Sequence, residues 1–340
     1  MYFIKSIILV AFLILTKNFV VYLIIQVLTT LIENIIISIK VNKLYPYLKE
    51  KNVKDLDKTE KRSIFSNVKS LVIYKFGEVC MKGTDNILIS TLVNVDTVGL
   101  CSNYILIINS IKSIIFSTLN GVTASVGNLN AVGEPKQKEN VFYQITFVNY
   151  IIFSFLAIAF IVLLNPFISI WLGQDYTLEI GVSVALAVSC FIEGLRNPAC
   201  TYRVTLGLFE KGRITPYVGA ISNIVLSIVL CKLFGVVGIF MATAIAQLIS
   251  YSCIDPYLIH KYGFKTSSSK YFKRFTIYIG IFIINTVISL KLASFIRVNM
   301  ILDFTLKAII VCVVPNVINL IIFNKTEELR ELKLKLVKEK

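Results

Sequence analysis

The stretch SLVIYKFGEVCMKGTDNILIS, Ser70–Ser90, is mostly apolar and long enough to cross a bilayer, yet it carries Lys75, Glu78, Lys82 and Asp85. A charge near the centre of a spanning helix costs about 2.5–3.5 kcal/mol on insertion scales, so four on one helix need a common explanation. At a helical turn of about 100° per residue, these four side chains and Asn86 fall on one face. Such a stripe is expected to turn from lipid toward a neighbouring helix or a wet cavity. The pairs 75/78, 78/82 and 82/85 alternate in sign at i,i+3 or i,i+4, so a self-neutralising ladder is one reading. Lys75 is also placed to snorkel toward the headgroups. The other reading is a polar lining for a charged substrate or a coupling ion.

The surrounding sequence makes the bilayer reading general. The chain has 340 residues, 56% of them hydrophobic, with a mean hydropathy of +0.76. Apolar runs of about 20 residues recur throughout, which is the length a spanning helix needs. The expected fold class is an all-α polytopic membrane protein of about ten transmembrane helices. The spans are placed near 1–16, 19–39, 67–92, 98–121, 144–164, 179–203, 215–232, 235–256, 275–296 and 302–323. MYFIKSIILVAFLIL has the charge and apolar run of a signal peptide but no small-x-small cleavage site after it, so a first transmembrane helix is expected.

The net charge of +15 follows topology. Lys and Arg alternate between rich and poor loops: 24 of the 35 lie in 40–62, 131–142, 203–213, 259–274 and 325–340, and the intervening loops hold only Lys17, Lys232 and Arg297. The positive-inside rule then puts the rich loops and both termini in the cytoplasm. A nucleic-acid partner is not expected. The seven cysteines form no CxxC or Cys/His cluster and read as small buried residues; no metal site is expected. The single histidine, His260, argues against histidine-based catalysis or a histidine proton relay.

Two further spans carry polar groups at depth. In 98–121, Asn109, Lys112, Ser113 and Asn120 share one arc. In 179–203, CFIEGLRNPAC places Glu193, Arg196 and Asn197 on one face before Pro198, a residue expected to kink the helix. Arg196 is expected either to pair with Glu193 or to offer its fork to a phosphate. Lys75, Lys82, Lys112 and Arg196 against Glu78, Asp85 and Glu193 leave one net positive charge, which suits an anionic ligand. The tail TEELRELKLKLVKEK is spaced for a basic amphipathic helix on the anionic leaflet or for a solvated end.

Several segments resemble the polysaccharide flippase branch of the multidrug/oligosaccharidyl-lipid/polysaccharide exporter superfamily. GVTASVGNLNAVGEPKQKEN (121–140) is similar to the family's turn after the second helix of a lobe, with Gly133 and Glu134 ahead of Lys136 and Lys138. NPFISIWLGQDY (165–176) and TLGLFEKGRITPYVGAISNIVLSIVLCKLFGVVGIFMATAIAQLIS (205–250) resemble its next segment and its last lobe hairpin, and Thr84–Asn86 recurs in Gram-positive-type members. The resemblance covers about 63–256.

It implies two six-helix lobes and two extra helices around a cavity that opens to either side in turn. Residues 1–40 would then be the last two helices of a first lobe lacking four, 41–62 a basic linker, 63–258 the second lobe, 259–324 the extra pair and 325–340 a cytoplasmic tail. The implied function is to flip a polyprenyl-diphosphate-linked oligosaccharide across the bacterial cytoplasmic membrane, with membrane lipids and other polysaccharide-biosynthesis proteins as partners. Lys82, Lys112, Arg196, Lys75, Asn86 and Asn109 are the expected substrate contacts, and Asp85, Glu78 and Glu193 the groups that hold a coupling Na⁺ or H⁺ or orient the cations. No other cofactor is expected. An enzyme is not expected, because no outer loop is long enough for a catalytic element. The alternatives are a multidrug/cation antiporter, which would favour excess carboxylate, and a non-functional fragment or assembly subunit.

Overall fold

The computed structural model describes residues 2–50, 55–296, 298–326 and 329–330, without the side chains of 2–4, Lys49 and Lys82. Helices and turns account for all regular structure among them. The chain divides into two compact units, 1–62 and 63–340.

In the first unit, α1 (Tyr2–Thr16) and α2 (Phe19–Leu44) form an antiparallel hairpin. Lys17 turns the chain at φ 48° and Asn18 caps α2, its Oδ1 accepting from the Val20 N–H at 2.9 Å. Across the arms, Lys5 Nζ donates to Thr30 Oγ1 at 2.8 Å. No described side chain of α2 is buried, as suits a helix whose solvent is hydrocarbon.

The other helices are α3 (Lys58–Leu92), α4 (Val95–Asn120), α5 (Thr123–Val132), α6 (Pro135–Trp171), α7 (Ile180–Thr205), α8 (Ile214–Ile249), α9 (Tyr251–Leu258), α10 (Ser269–Ser294) and α11 (Met300–Phe323). A π-helical turn, Ile259–Phe264, follows α9. Among the described residues, seven helices or helix runs are long and apolar enough to cross a membrane: Phe19–Leu44, Val95–Val132, Pro135–Trp171, Ile180–Thr205, Ile214–Phe264, Ser269–Ser294 and Met300–Phe323. The protein is therefore an all-α, multi-pass membrane protein. Of the ten expected spans, α1 has only 15 residues and α3 is too rich in charge to meet the same standard.

Two more expected spans lie within the run 214–264, because α8 folds back on itself. Gly235 takes φ 57°, ψ −136°, a conformation closed to side-chain-bearing residues, and the chain reverses there. The antiparallel register is visible in the contacts on either side. Asn223 bonds to Thr243 and Thr215 to Asp255, and a Cβ on Gly238 would lie 2.0 Å from the Leu230 carbonyl oxygen.

The core sits where α6 and α7 cross, with α8, α10 and α11 closing around them. Between helices in lipid the driving force is close packing and not exclusion of water, so small residues at crossings matter. A Cβ on Gly194 of α7 would fall 1.9 Å from the Phe153 ring of α6. Gly194→Ala is expected to cost about 1–3 kcal/mol, because the ring cannot move without disturbing its neighbours. An unchanged unfolding midpoint in detergent would contradict that crossing. Ring stacks extend the core, with Phe191 against Phe282 at 4.1 Å and Tyr150 against Tyr278 at 4.4 Å between centroids.

Helix α7 runs through Pro198 to Thr205, further than the span expected at 179–203. This corrects the assignment of Arg203 to a basic loop: it lies in the helix with 1% of its surface exposed. The added turn carries it inward, on the side of α7 that already holds Arg196.

Candidate functional site

On α7, Glu193, Arg196, Cys200 and Arg203 follow at i, i+3, i+7 and i+10, a spacing that aligns them on one side of a helix. On α3, Ser70, Tyr74, Gly77, Met81 and Asp85 do the same and are all buried, whereas Lys75 has a side chain 74% exposed. The inward face of α3 is thus centred on Tyr74 and Met81 instead of on Lys75. Small and aromatic residues set that rotation. Gly77 lets α3 approach α8 so closely that a Cβ there would meet Pro216 Cβ at 2.5 Å.

The two faces meet in a polar seam. Glu78 Oε1 lies 3.8 Å from Arg196 Nη2, and its Oε2 is 3.0 Å from Lys75 Nζ. The Arg196 guanidinium stacks 4.4 Å above the Tyr251 ring, and that of Arg203 lies 3.8 Å above Tyr74. The two tyrosines meet edge to face at 5.5 Å, so cation, ring, ring and cation form one continuous stack joining α3, α7 and α9. Arg203 Nε lies 3.3 Å from Asp255 Oδ2, with both residues 1% exposed. Thr215 Oγ1 donates to Asp255 Oδ1 at 3.0 Å. Asp255 therefore holds α9 to both α7 and α8.

Two satellites flank the seam. Lys112 of α4 reaches Glu193 with Nζ and Oε2 2.6 Å apart, the side chains 12% and 14% exposed. Glu193 pairs with Lys112, and Arg196 faces Glu78 and the Tyr251 ring. Asp85 is buried on the other side, where Thr243 Oγ1 lies 3.1 and 3.0 Å from its two oxygens and Asn223 Nδ2 donates to Thr243.

Of the other expected contacts, Asn86 and Asn109 are exposed, away from the buried seam, and the side chain of Lys82 lies outside the described residues. The expectation missed Arg203, Asp255, Tyr74 and Tyr251. Part of their signal was legible, in Tyr74 four residues before Glu78 and Arg203 seven after Arg196, whereas Asp255 stands on the far arm of a hairpin that only the fold aligns.

Several polar atoms in the seam find no hydrogen-bond partner among the described residues. They include Arg196 Nε, Arg203 Nη2, Asn223 Oδ1 and Ser227 Oγ, all buried. A guanidinium N–H without an acceptor among the described residues has a hydrogen bond left to give. Oxygens that lack donors near a carboxylate suit a hard cation or a proton. No group of three His, Cys, Asp or Glu side chains that could hold a metal occurs among the described residues. Comparison with protein-family models, with curated proteins and with solved structures found no match.

Proposed function

We propose that the chain is the working part of a flippase for a polyprenyl-diphosphate-linked oligosaccharide, resident in the bacterial cytoplasmic membrane with its basic loops inside. The observation that carries this reading is the pair of buried guanidiniums, Arg196 and Arg203, each with an N–H that no described residue answers. A diphosphate supplies the missing acceptors, and the sugars find hydroxyl and amide partners along the seam while the polyprenyl tail stays in lipid. Charge bookkeeping agrees: Lys75, Lys112, Arg196 and Arg203 are matched by Glu78, Asp85, Glu193 and Asp255, and Lys82 is the surplus cation. Balance of that kind keeps the seam stable when empty, and one surplus positive charge in this part of the sequence favours an anion. An inside-negative potential drives outward passage of the diphosphate by about 2.3 kcal/mol per charge at 100 mV.

We infer that coupling resides at Asp85. Asn223 Oδ1 and, one helical turn on, Ser227 Oγ have no partner among the described residues, so this corner of the hairpin has oxygens to offer Na⁺ or a carboxyl to hold H⁺. Asp85→Asn is expected to leave the fold intact, because Asn keeps the Thr243 contact, and to remove the dependence of flipping on a cation gradient. Flipping by the variant that still rises with a Na⁺ or H⁺ gradient would move coupling elsewhere.

The function is tested in liposomes loaded with a fluorescent polyprenyl-diphosphate oligosaccharide, where a membrane-impermeant quencher reports the outer leaflet. Wild-type chain should speed equilibration between leaflets, and Arg196→Gln should lower the rate at least about tenfold, the loss of one charged hydrogen bond. Rates equal to protein-free vesicles would favour an assembly subunit or inactive fragment. Faster movement of an organic cation than of the glycan would favour the antiporter.

A further inference from the structure

The two buried guanidiniums of the seam differ in how firmly a carboxylate holds them. Arg203 Nε and Asp255 Oδ2 are 3.3 Å apart and both residues are buried, so parting them strands a charge out of reach of water. Arg196 Nη2 and Glu78 Oε1 are 3.8 Å apart, near the outer limit of an ion pair. The other oxygen of Glu78, Oε2, already lies 3.0 Å from Lys75 Nζ. One carboxylate is therefore shared by two cations, and it can give up Arg196 while keeping Lys75. Side-chain exposure rises from 9% at Arg196 through 24% at Glu78 to 74% at Lys75, so the three groups form a line that opens outward at Lys75.

We propose that Glu78 is a resident counter-anion, displaced from Arg196 by the diphosphate, and that it sets how tightly the cargo is held. This rests on the flippase reading above and names what regulates that site. The Arg196 guanidinium is stacked 4.4 Å from the Tyr251 ring, which fixes its plane, so a phosphate oxygen and the Glu78 carboxylate compete for the same N–H edge. Displacement leaves no stranded charge, because Glu78 stays with Lys75. Its return to Arg196 helps expel the cargo, and a transporter has to release what it binds. Glu78 is a positioning residue in this scheme, since it acts through Arg196. Asp255 is unsuited to that part: it is buried with Arg203 and tied to Thr215.

The test compares a short-chain polyprenyl diphosphate with the polyprenol of the same length, bound to the full-length chain in nanodiscs. Glu78→Gln keeps the shape and removes the charge. It should bind the diphosphate about tenfold more tightly than wild type, the worth of one charge-assisted contact, and release it more slowly by a similar factor. Its affinity for the polyprenol should not change, which also shows that the variant is folded. Glu210→Gln, which removes an exposed carboxylate from the loop after α7, should alter neither affinity. A Glu78 that merely braces α3 against α7 gives the opposite sign, with weaker diphosphate binding in Glu78→Gln, and that result overturns the proposal. A wild-type chain that prefers the diphosphate, with Glu78→Gln no tighter, overturns it while leaving the flippase reading in place. A wild-type chain without that preference removes both.

Discussion

Arg203→Met is expected to lose about 3–5 kcal/mol of folding stability, the largest effect of any single change in the protein. Asp255 is 1% exposed and its other oxygen already accepts from Thr215, so removing the guanidinium leaves a carboxylate buried without its cation. The same change exposes the Tyr74 ring face and so loosens α3 from α7. The pair as a whole contributes far less than its rupture costs, because two desolvated charges roughly offset their attraction. The double variant Arg203→Met, Asp255→Leu should therefore recover most of the loss. Unfolding of the purified chain in a mild detergent measures both. If the single variant unfolds like Lys211→Met, a change at an exposed residue, the pair does not hold α9 in place.

Reversing one charge of the Lys112–Glu193 pair should have the second largest effect. Lys112→Glu sets two carboxylates against each other in a site 12% and 14% exposed, and repulsion in such a medium is on the order of 3 kcal/mol. Exchanging both partners, Lys112→Glu with Glu193→Lys, restores an ion pair of opposite sense and should return most of the stability. Rescue of stability without rescue of flipping would show that the sign of the charge at 112 matters to the cargo. A reversed single variant as stable as wild type would mean the two helices part easily at this point.

Much of the architecture can be read directly from residue order, for reasons that are local. Apolar run length sets which helices cross lipid, and Gly235 within CKLFGVVG marks the reversal that separates the expected spans 215–232 and 235–256. The burial of Asp85 and Arg196 and the half-burial of Lys112 and Glu193 follow from the expense of a charge facing lipid. Which partner each one takes does not follow, because pairing depends on helix rotation. Lys75 and Asp85 fall on one stripe when only charges are counted, yet Gly77, Tyr74 and Met81 turn α3 so that Asp85 is buried and Lys75 reaches out. Arg203 reads as one more loop cation until the last turn of α7 is seen to run past Pro198. Asp255 acquires its role only when the hairpin brings it back beside Thr215, across 40 residues of sequence.

The proposed function requires the unanswered guanidinium N–H groups of the seam to donate to a diphosphate. Binding of a short-chain polyprenyl diphosphate to the purified protein in nanodiscs, set beside the polyprenol of the same length, tests this most directly. The diphosphate should bind saturably and at least about tenfold more tightly than the alcohol, and Arg196→Gln should erase that preference while Lys211→Gln leaves it. Equal affinity for the two ligands in the wild-type protein, or a preference that survives the loss of Arg196, would contradict it.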